Sequence, residues 1–151
     1  MERSKIYINQ EIALSVKNLS TSKPVPVFTD CKEKLTIDAY GDRFSSIIEH
    51  LIRNAQDATP DDGQINITLT RDDRFATIKV SDTGAGMSMG FIRSNLFKPF
   101  YTTKGNAGMG IGMYECKQFV QQLGGRLDVQ SEPGKGTTIS IALPLNDWTM
   151  L

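Results

Sequence analysis

The sequence predicts an α+β fold in which helices cover one face of a mixed β-sheet. Two segments have apolar residues at helical spacing, and two pairs of segments alternate apolar and polar residues across short turns. The helical segments are about 43–58 and 110–123, and the alternating segments are 64–70, 75–81, 126–130 and 137–143. The chain has 151 residues, a length that suits a single domain over 1–151.

The first thirty residues predict shorter elements. We expect a short strand over 5–8 and a helix over 9–19, for which Asn9 is a plausible N-cap. Two prolines exclude a helix in the next stretch, so 25–29 is expected to be extended or an edge strand.

The middle of the chain contains the strongest helix signal. Residues 34–39 alternate as a strand, and Gly41 and Asp42 form a turn into the helix, with Asp42 as the candidate cap. The apolar residues of the helix fall on one broad face. They are Phe44, Ile47, Ile48, Leu51, Ile52, Ala55 and Ala58.

The second half begins with a predicted hairpin of 64–70 and 75–81, followed by an irregular, glycine-rich stretch over 82–112. The helix at about 110–123 ends at Gly124 and Gly125. The last two strands then enclose a turn that contains two glycines and a proline.

Composition excludes several classes of function. Lys and Arg total 17, as do Asp and Glu, so there is no global basic field for nucleic acid or an anionic membrane. The one histidine, His50, excludes a histidine-rich metal site within the chain.

Cysteine and apolar content indicate where the protein works. Cys31 and Cys116 form no CxxC pair, which excludes zinc and thioredoxin-like sites, and a reducing compartment is favoured although a disulfide stays open. No apolar run is long enough to span a membrane, and the start lacks the apolar region of a signal peptide. We expect a cytoplasmic chain, or a cytoplasmic piece of something larger.

Glycine and positive charge concentrate between Gly84 and Gly112. Seven of the 13 glycines lie there, and the charged residues are Arg93, Lys98 and Lys104. Bare backbone N–H groups can approach an anion, and the helix that follows adds a favourable dipole. The segment indicates phosphate binding, although a surface loop can have the same composition. Its spacing matches neither a Walker A loop nor a Rossmann turn.

A polar stripe borders the apolar face of the central helix. His50, Asn54 and Asp57 lie within about 60° of one another around the helix axis. Asn54 could offer its carbonyl oxygen to Mg²⁺, which prefers oxygen ligands and keeps waters and substrate phosphates. The alternative is that Asn54 and His50 make structural hydrogen bonds.

Asp82 directly follows a strand and precedes Gly84 and Gly86. A carboxylate there can accept a hydrogen bond from an amino group such as that of adenine, and the glycines would let the chain turn beneath a flat ring. The alternative is an ordinary Asp-x-Gly turn.

In order along the chain, five segments resemble motifs of the ATP-binding catalytic domain of bacterial sensor histidine kinases, in the GHKL (Bergerat-fold) superfamily. The resemblance covers about 35–145. Within the family, the amino-acid sequences of these motifs are most similar to those of PEP-CTERM-system histidine kinases. The segments are 47–58 (N box), 82–87 (G1 box), 97–100 (F box), 108–113 (G2 box) and 134–138 (the final glycine-threonine motif).

The resemblance implies a Bergerat-fold α/β sandwich with a mainly antiparallel sheet, about three helices on one face, and an ATP lid at about 88–108. The implied activity is protein-histidine kinase. ATP with Mg²⁺ would donate its γ-phosphate to a histidine on a dimerisation domain absent from this chain, in two-component signalling that ends at a response regulator. No contact with nucleic acid or membrane is implied for this domain.

The resemblance also assigns roles to individual residues. Asn54 would coordinate Mg²⁺, and Asp82 would bind the adenine amino group. Gly84 and Gly86 would shape the adenine pocket, and Thr137 would support it, or Thr138 in its place. The phosphates would be held by Lys104 and the backbone N–H groups of Gly108, Gly110 and Gly112, and Met109 and Ile111 between these glycines would also belong to the ATP site. Phe97 and Phe100 would pack the lid or dock it on the partner domain.

Two positions depart from the family pattern. His50 stands where histidine kinases commonly have Asn, and where ATP-hydrolysing members have a water-activating Glu. A histidine could act as a base, but a structural or metal-shell role is favoured. Asp57, grouped with the ATP-binding candidates, stands where some kinases carry a Lys, which puts a direct phosphate contact in doubt.

Two other functions stay open on the sequence. An anti-sigma-factor serine kinase shares the fold and a similar lid, but would be expected to have a Glu near position 50. A nucleotide-sensing module without kinase activity would retain ATP binding alone.

Overall fold

The computed structural model describes residues 3–98 and 112–146, and it has the expected α+β architecture. Its elements in chain order are β1 (Ser4–Tyr7), α1 (Ile8–Asn18), β2 (Val27–Thr29), β3 (Thr36–Ala39), α2 (Gly41–Ala58), β4 (Ile65–Arg71), β5 (Phe75–Asp82), α3 (Met89–Phe91), a π-helical turn (Ile92–Leu96), α4 (Met113–Gln122), β6 (Arg126–Glu132) and β7 (Gly136–Pro144). Within these described ranges, none of the helices combines the length and apolarity needed to cross a bilayer.

The main sheet is mixed and mainly antiparallel, as expected. Its five strands are ordered β2-β4-β5-β7-β6, and only the β2–β4 pair is parallel. Strands β1 and β3 form a separate antiparallel pair. The β4–β5 hairpin is closed by Asp72, whose Oδ1 accepts hydrogen bonds from the backbone N–H groups of Arg74 (3.0 Å) and Phe75 (2.8 Å). These bonds lower the pKa of Asp72, and the bond from Phe75 has the larger effect.

The two faces of the sheet differ because side chains alternate along each strand. On one face the apolar residues of β4, β5 and β7 pack beneath α2 and α4, with α1 against α2 and β2. The opposite face of the central strands has polar side chains instead. They include Thr68, Lys79, Ser81, Thr138 and Ser140.

Helix α2 confirms the predicted apolar face except at its end. Ala58 is exposed, and Gln56 is buried in its stead. The Gln56 amide nitrogen donates to the carbonyl oxygens of Leu19 (2.9 Å), Pro24 (3.2 Å) and Ser22 (3.3 Å). A buried amide is favourable only when its polar atoms are paired, so Gln56 connects α2 to the segment that leaves α1.

Both N-cap predictions were wrong. Helix α1 begins at Ile8, and the Asn9 side chain instead binds the 30–35 loop, accepting from Leu35 N (2.8 Å) and donating to Asp30 Oδ1 (2.7 Å). Helix α2 begins at Gly41, so Asp42 lies in its first turn. A carboxylate at that position interacts favourably with the helix dipole.

Helix α4 begins three residues later than predicted and ends where expected. Gly112 is its N-cap, and its end is closed by hydrogen bonds from Gly124 N to Gln121 O and from Gly125 N to Val120 O. This pattern is a Schellman motif, and Gly124 has the positive φ of 81° that such an end requires.

The two cysteines are free thiols, so the disulfide that the sequence left open is not formed. Burial raises the pKa of the Cys116 thiol to about 12.

Substituting Gln56 with Ala tests the connection between α2 and the end of α1. The buried carbonyls of Leu19 and Pro24 would lose a donor, so we expect the free energy of unfolding to fall by about 2 kcal/mol. Urea denaturation measures the change. Gln121→Ala, at an exposed position of α4, is the matched control, and an equal effect of both substitutions would contradict this account.

Candidate functional site

Three polar side chains lie side by side at one end of the sheet. Asp82 of β5 is opposite Thr137 of β7, which is opposite Ser131 of β6. They have the same strand parity as the core residues Val80 and Ile139, so this polar row lies on the helix-covered face. The polar row therefore lies where the apolar core ends, and it forms the first part of the candidate site.

The Asp82 carboxylate is held by backbone groups through one oxygen. Oδ1 accepts hydrogen bonds from Gly84 N (2.8 Å) and Thr137 N (3.3 Å). Within residues 3–98 and 112–146, Oδ2 accepts no hydrogen bond. Burial raises the pKa of Asp82 above its ordinary value, and the two backbone hydrogen bonds oppose that rise. A ligand N–H group could therefore find an acceptor at Oδ2.

Ser131, which sequence reasoning missed, connects the polar row to the segment after β5. Its Oγ accepts from Met87 N (2.7 Å), donates to Gly136 O (3.0 Å) and lies 2.7 Å from Thr137 Oγ1. A serine in a strand of alternating polarity carries no local signal. Ser131 could have been recognised as a site residue only from the strand register that places it opposite Thr137.

The glycines of this region allow backbones to touch. A Cβ on Gly84 would lie 2.3 Å from Ala58 O at the end of α2, and one on Gly86 would lie 1.9 Å from Glu132 O. Ala85 N donates to Ala58 O (3.0 Å), and Gly134 N donates to Ala85 O (2.6 Å). We expected these glycines to let the chain turn beneath a flat ring, and that role stays a prediction. In the structure they let residues 84–87 pack between α2 and the β6–β7 turn.

The polar stripe of α2 leads toward the end of the helix that contacts residues 84–87. Asn54 lies one turn before Ala58, and its Nδ2 is 3.0 Å from His50 Nε2. Because Asn54 Nδ2 can only donate, His50 Nε2 is the acceptor, and its lone pair is already used. Both side chains are half-buried, whereas Asp57 is exposed.

Asn54 suits a magnesium ion that is held chiefly by phosphates. In the part of the chain that the structure describes, Asn54 Oδ1 accepts no hydrogen bond, and no group of three His, Cys, Asp or Glu side chains could hold a metal ion. Mg²⁺ commonly takes one or two protein oxygens and completes its shell with phosphates and waters. The residues present fit that arrangement.

The structure places only part of the predicted lid and phosphate site. Residues 89–96 are helical where an irregular stretch was expected, and Ser88 Oγ accepts from Phe91 N (3.1 Å) at their start. Phe97 is half-buried against the core, with Lys117 Nζ 4.8 Å from its ring centre. Gly112 N donates to Glu115 Oε2 (3.1 Å). Outside the described residues lie Phe100, Lys104, Gly108, Met109, Gly110 and Ile111.

A pair of glycine substitutions tests the packing of residues 84–87. Gly86 has φ +74° and no room for a Cβ, so Gly86→Ala should lower the free energy of unfolding by about 2 kcal/mol or more. A Cβ on Gly90 would come no closer than 3.9 Å to Ser88 Oγ, so Gly90→Ala should be tolerated. Thermal denaturation compares the two, and similar melting temperatures would show the close contact to be wrong.

The raised pKa of Asp82 predicts how stability changes with pH. The folded protein binds this proton more tightly than the unfolded chain, so the contribution is fully present below the ordinary pKa of about 3.9 and is lost as pH rises through the folded pKa. Asp82→Asn removes the titration. Its stability relative to the unmutated protein should therefore increase as pH rises through that window.

Urea denaturation across a pH series measures this difference. Asp128→Asn, at an exposed strand position, controls for the change of net charge. A difference between Asp82→Asn and the unmutated protein that is independent of pH would contradict the raised pKa.

Comparison with known protein families gives a match over most of the chain. The model of the histidine kinase-, DNA gyrase B- and HSP90-like ATPase family matches residues 39–147. Sporulation kinase D of Bacillus subtilis (strain 168) is 32% identical over 115 residues, which are 76% of this chain and 22% of that protein. Sensor protein SrrB of Staphylococcus aureus (strain MRSA252) is 35% identical over 123 residues, 78% of this chain and 21% of that protein. The chain thus spans about a fifth of the length of these curated relatives.

Solved structures share the fold. The mycobacterial sensor histidine kinase MprB aligns with a TM-score of 0.80 at 21% identity, over 95% of this chain and 97% of that one. The nucleotide-free catalytic domain of histidine kinase ThkA aligns with a TM-score of 0.79 at 21% identity, over 95% and 96%. Full-length ShkA in complex with AMPPNP aligns with a TM-score of 0.79 at 21% identity, over 96% of this chain and 31% of that one. The chain therefore belongs to the histidine kinase-, DNA gyrase B- and HSP90-like ATPase family, as a catalytic ATP-binding domain of the sensor histidine kinase type.

Proposed function

We propose that this domain binds Mg-ATP and donates the γ-phosphate to a histidine on a separate dimerisation domain, in two-component signal transduction. The observation that carries the proposal is the arrangement of Asp82. Two backbone N–H groups fix Oδ1, and Oδ2 is left to accept a hydrogen bond. An amino group at C6, which adenine has and a 6-oxo purine lacks, matches that acceptor. The ShkA complex with AMPPNP supports an adenine nucleotide as the ligand of this fold.

The phosphate end of the nucleotide would lie toward Asn54 and the segment that follows the lid. Asn54 would hold Mg²⁺ through Oδ1, with His50 orienting its amide through the 3.0 Å contact. The metal, when bound, neutralises negative charge on the phosphates. Lys104 and the backbone N–H groups of 108–112 would supply the remaining contacts. Gly84, Gly86 and Thr137 would shape the adenine end, and Asp57, exposed on α2, would lie at the margin.

The acceptor histidine would come from another domain. The sequence has one histidine, and that residue, His50, is half-buried in α2 beside Asn54. Phosphoryl transfer of this type depends on positioning and charge neutralisation, so the domain itself needs no covalent intermediate. Phe97 and Phe100 would pack the lid over the nucleotide or dock it on the partner. The similarity to PEP-CTERM-system kinases and the cytoplasmic location stay predictions.

Asn54→Ala tests the metal role. We expect ATP affinity in MgCl₂ to fall about tenfold, to the value measured in EDTA, because the protein oxygen ligand is lost. Affinity in EDTA should be unchanged. Isothermal titration calorimetry of both conditions measures the effect, and Asn66→Ala, at an exposed position of β4, is the control. Full magnesium dependence in Asn54→Ala would remove Asn54 from the metal site, and no ATP binding by the unmutated chain would refute the proposal.

The kinase class is tested by the chemistry of the product. The chain is mixed with [γ-³²P]ATP and Mg²⁺, and with either a histidine-bearing dimerisation domain or an anti-anti-sigma protein. An acid-labile, alkali-stable phosphate on the dimerisation domain is the expected result. An acid-stable phosphoserine on the anti-anti-sigma protein would indicate the serine kinase instead. ATP binding with neither product would indicate a nucleotide-sensing module.

A further inference from the structure

We infer that Ser131 is a positioning residue of the adenine subsite, which determines how strongly this domain prefers a 6-amino purine over a 6-oxo purine. The inference rests on the proposed nucleotide-binding function. Ser131 acts through the backbone that it holds and need not contact the nucleotide.

The first step is the number of groups that converge on one hydroxyl. Ser131 Oγ is within hydrogen-bond distance of Met87 N (2.7 Å), Thr137 Oγ1 (2.7 Å) and Gly136 O (3.0 Å). A serine hydroxyl has one donor and two acceptor positions, so these contacts use its full capacity. Ser131 donates to Gly136 O and accepts from Met87 N and Thr137 Oγ1. The hydroxyl therefore joins β6, the start of β7 and the segment after β5.

The second step is the position of Met87. Residues 84–87 begin at Gly84, whose N–H orients the Asp82 carboxylate at 2.8 Å, and end at Met87, whose N–H is bound by Ser131. Between them, Gly134 N binds Ala85 O at 2.6 Å. The segment that orients Asp82 is thus held at its far end by Ser131. Groups that fix the orientation of a binding residue commonly affect affinity without touching the ligand.

The third step is a comparison on the other face of the sheet. One register position away, Ser81 Oγ and Thr138 Oγ1 are 2.9 Å apart, and both residues are half-buried. Their side chains lie on the face of the sheet opposite the helices, because they alternate with those of Asp82 and Thr137 along the strands. Like Ser131 and Thr137, this pair joins a serine to a threonine of β7, but no bond from it to residues 84–87 is found in the described part of the chain. It provides a matched control.

The experiment measures binding of ATP and of inosine triphosphate (ITP) to the 151-residue chain by calorimetry. We expect Ser131→Ala to lower ATP affinity about tenfold and ITP affinity much less, which reduces the preference for ATP. Ser131→Thr, which keeps the hydroxyl, should restore the preference. Ser81→Ala should leave both affinities unchanged, even if it lowers the melting temperature.

An unchanged ratio of ATP to ITP affinity in Ser131→Ala would overturn the inference, as would an equal loss of preference in Ser81→Ala. If Ser131→Ala does not fold, Ser131→Cys takes its place, because a thiol has nearly the size of the hydroxyl but is a weak hydrogen-bond acceptor. Full preference for ATP in Ser131→Cys would then overturn the inference. Failure of the proposed function is distinguishable, because in that case the unmutated chain binds no ATP.

Discussion

The site depends on a contact between two stretches of backbone, residues 84–87 and the β6–β7 turn. Gly86 lies so close to Glu132 O, and Gly136 so close to Asp82 O, that a Cβ on either would lie within 2.0 Å of a carbonyl oxygen. Such an approach requires glycine on both sides. It brings the end of β5 against the β6–β7 turn, and the hydrogen bonds of Asp82 and Ser131 follow from it.

Helix α2 meets the same contact from the opposite side. Its last carbonyl, Ala58 O, accepts the N–H of Ala85, while Gln56 connects the helix to the segment after α1. The position of Asn54, one turn earlier, is thereby fixed relative to Asp82. The metal candidate and the adenine candidate are not near each other in sequence. They are related through the end of one helix and a four-residue segment.

The sequence was sufficient for features that depend on periodicity. The apolar face of α2, the β4–β5 hairpin and the glycine end of α4 follow from spacing and turn residues, and they were confirmed except at Ala58, which is exposed. The Asn9 cap was wrong because Asn9 binds a loop more than twenty residues away in sequence, and a local pattern cannot include such a partner. The Asp42 cap was wrong because α2 already begins at Gly41. Ser131 was missed for a related reason. Its importance arises from strand register and not from its neighbours in sequence.

The candidate site also contains features that the sequence predicts and features that depend on contacts distant in sequence. Asp82, Gly84 and Gly86 lie in one short motif, so their proximity could be predicted, but the sequence did not indicate that the glycines contact α2 and the β6–β7 turn. The hydrogen bond between Asn54 and His50 could be anticipated from their spacing of four residues on a helix.

The two edges of the main sheet have a consequence for how this domain can associate. Edge β2 is three residues long and directly follows Pro26. Edge β6 exposes Arg126, Asp128, Gln130 and Glu132 at alternate positions. Short edges, prolines and charged side chains all discourage the addition of a strand from another chain. In the part of the chain that the structure describes, both edges of the main sheet are thus protected from pairing with a strand of another chain.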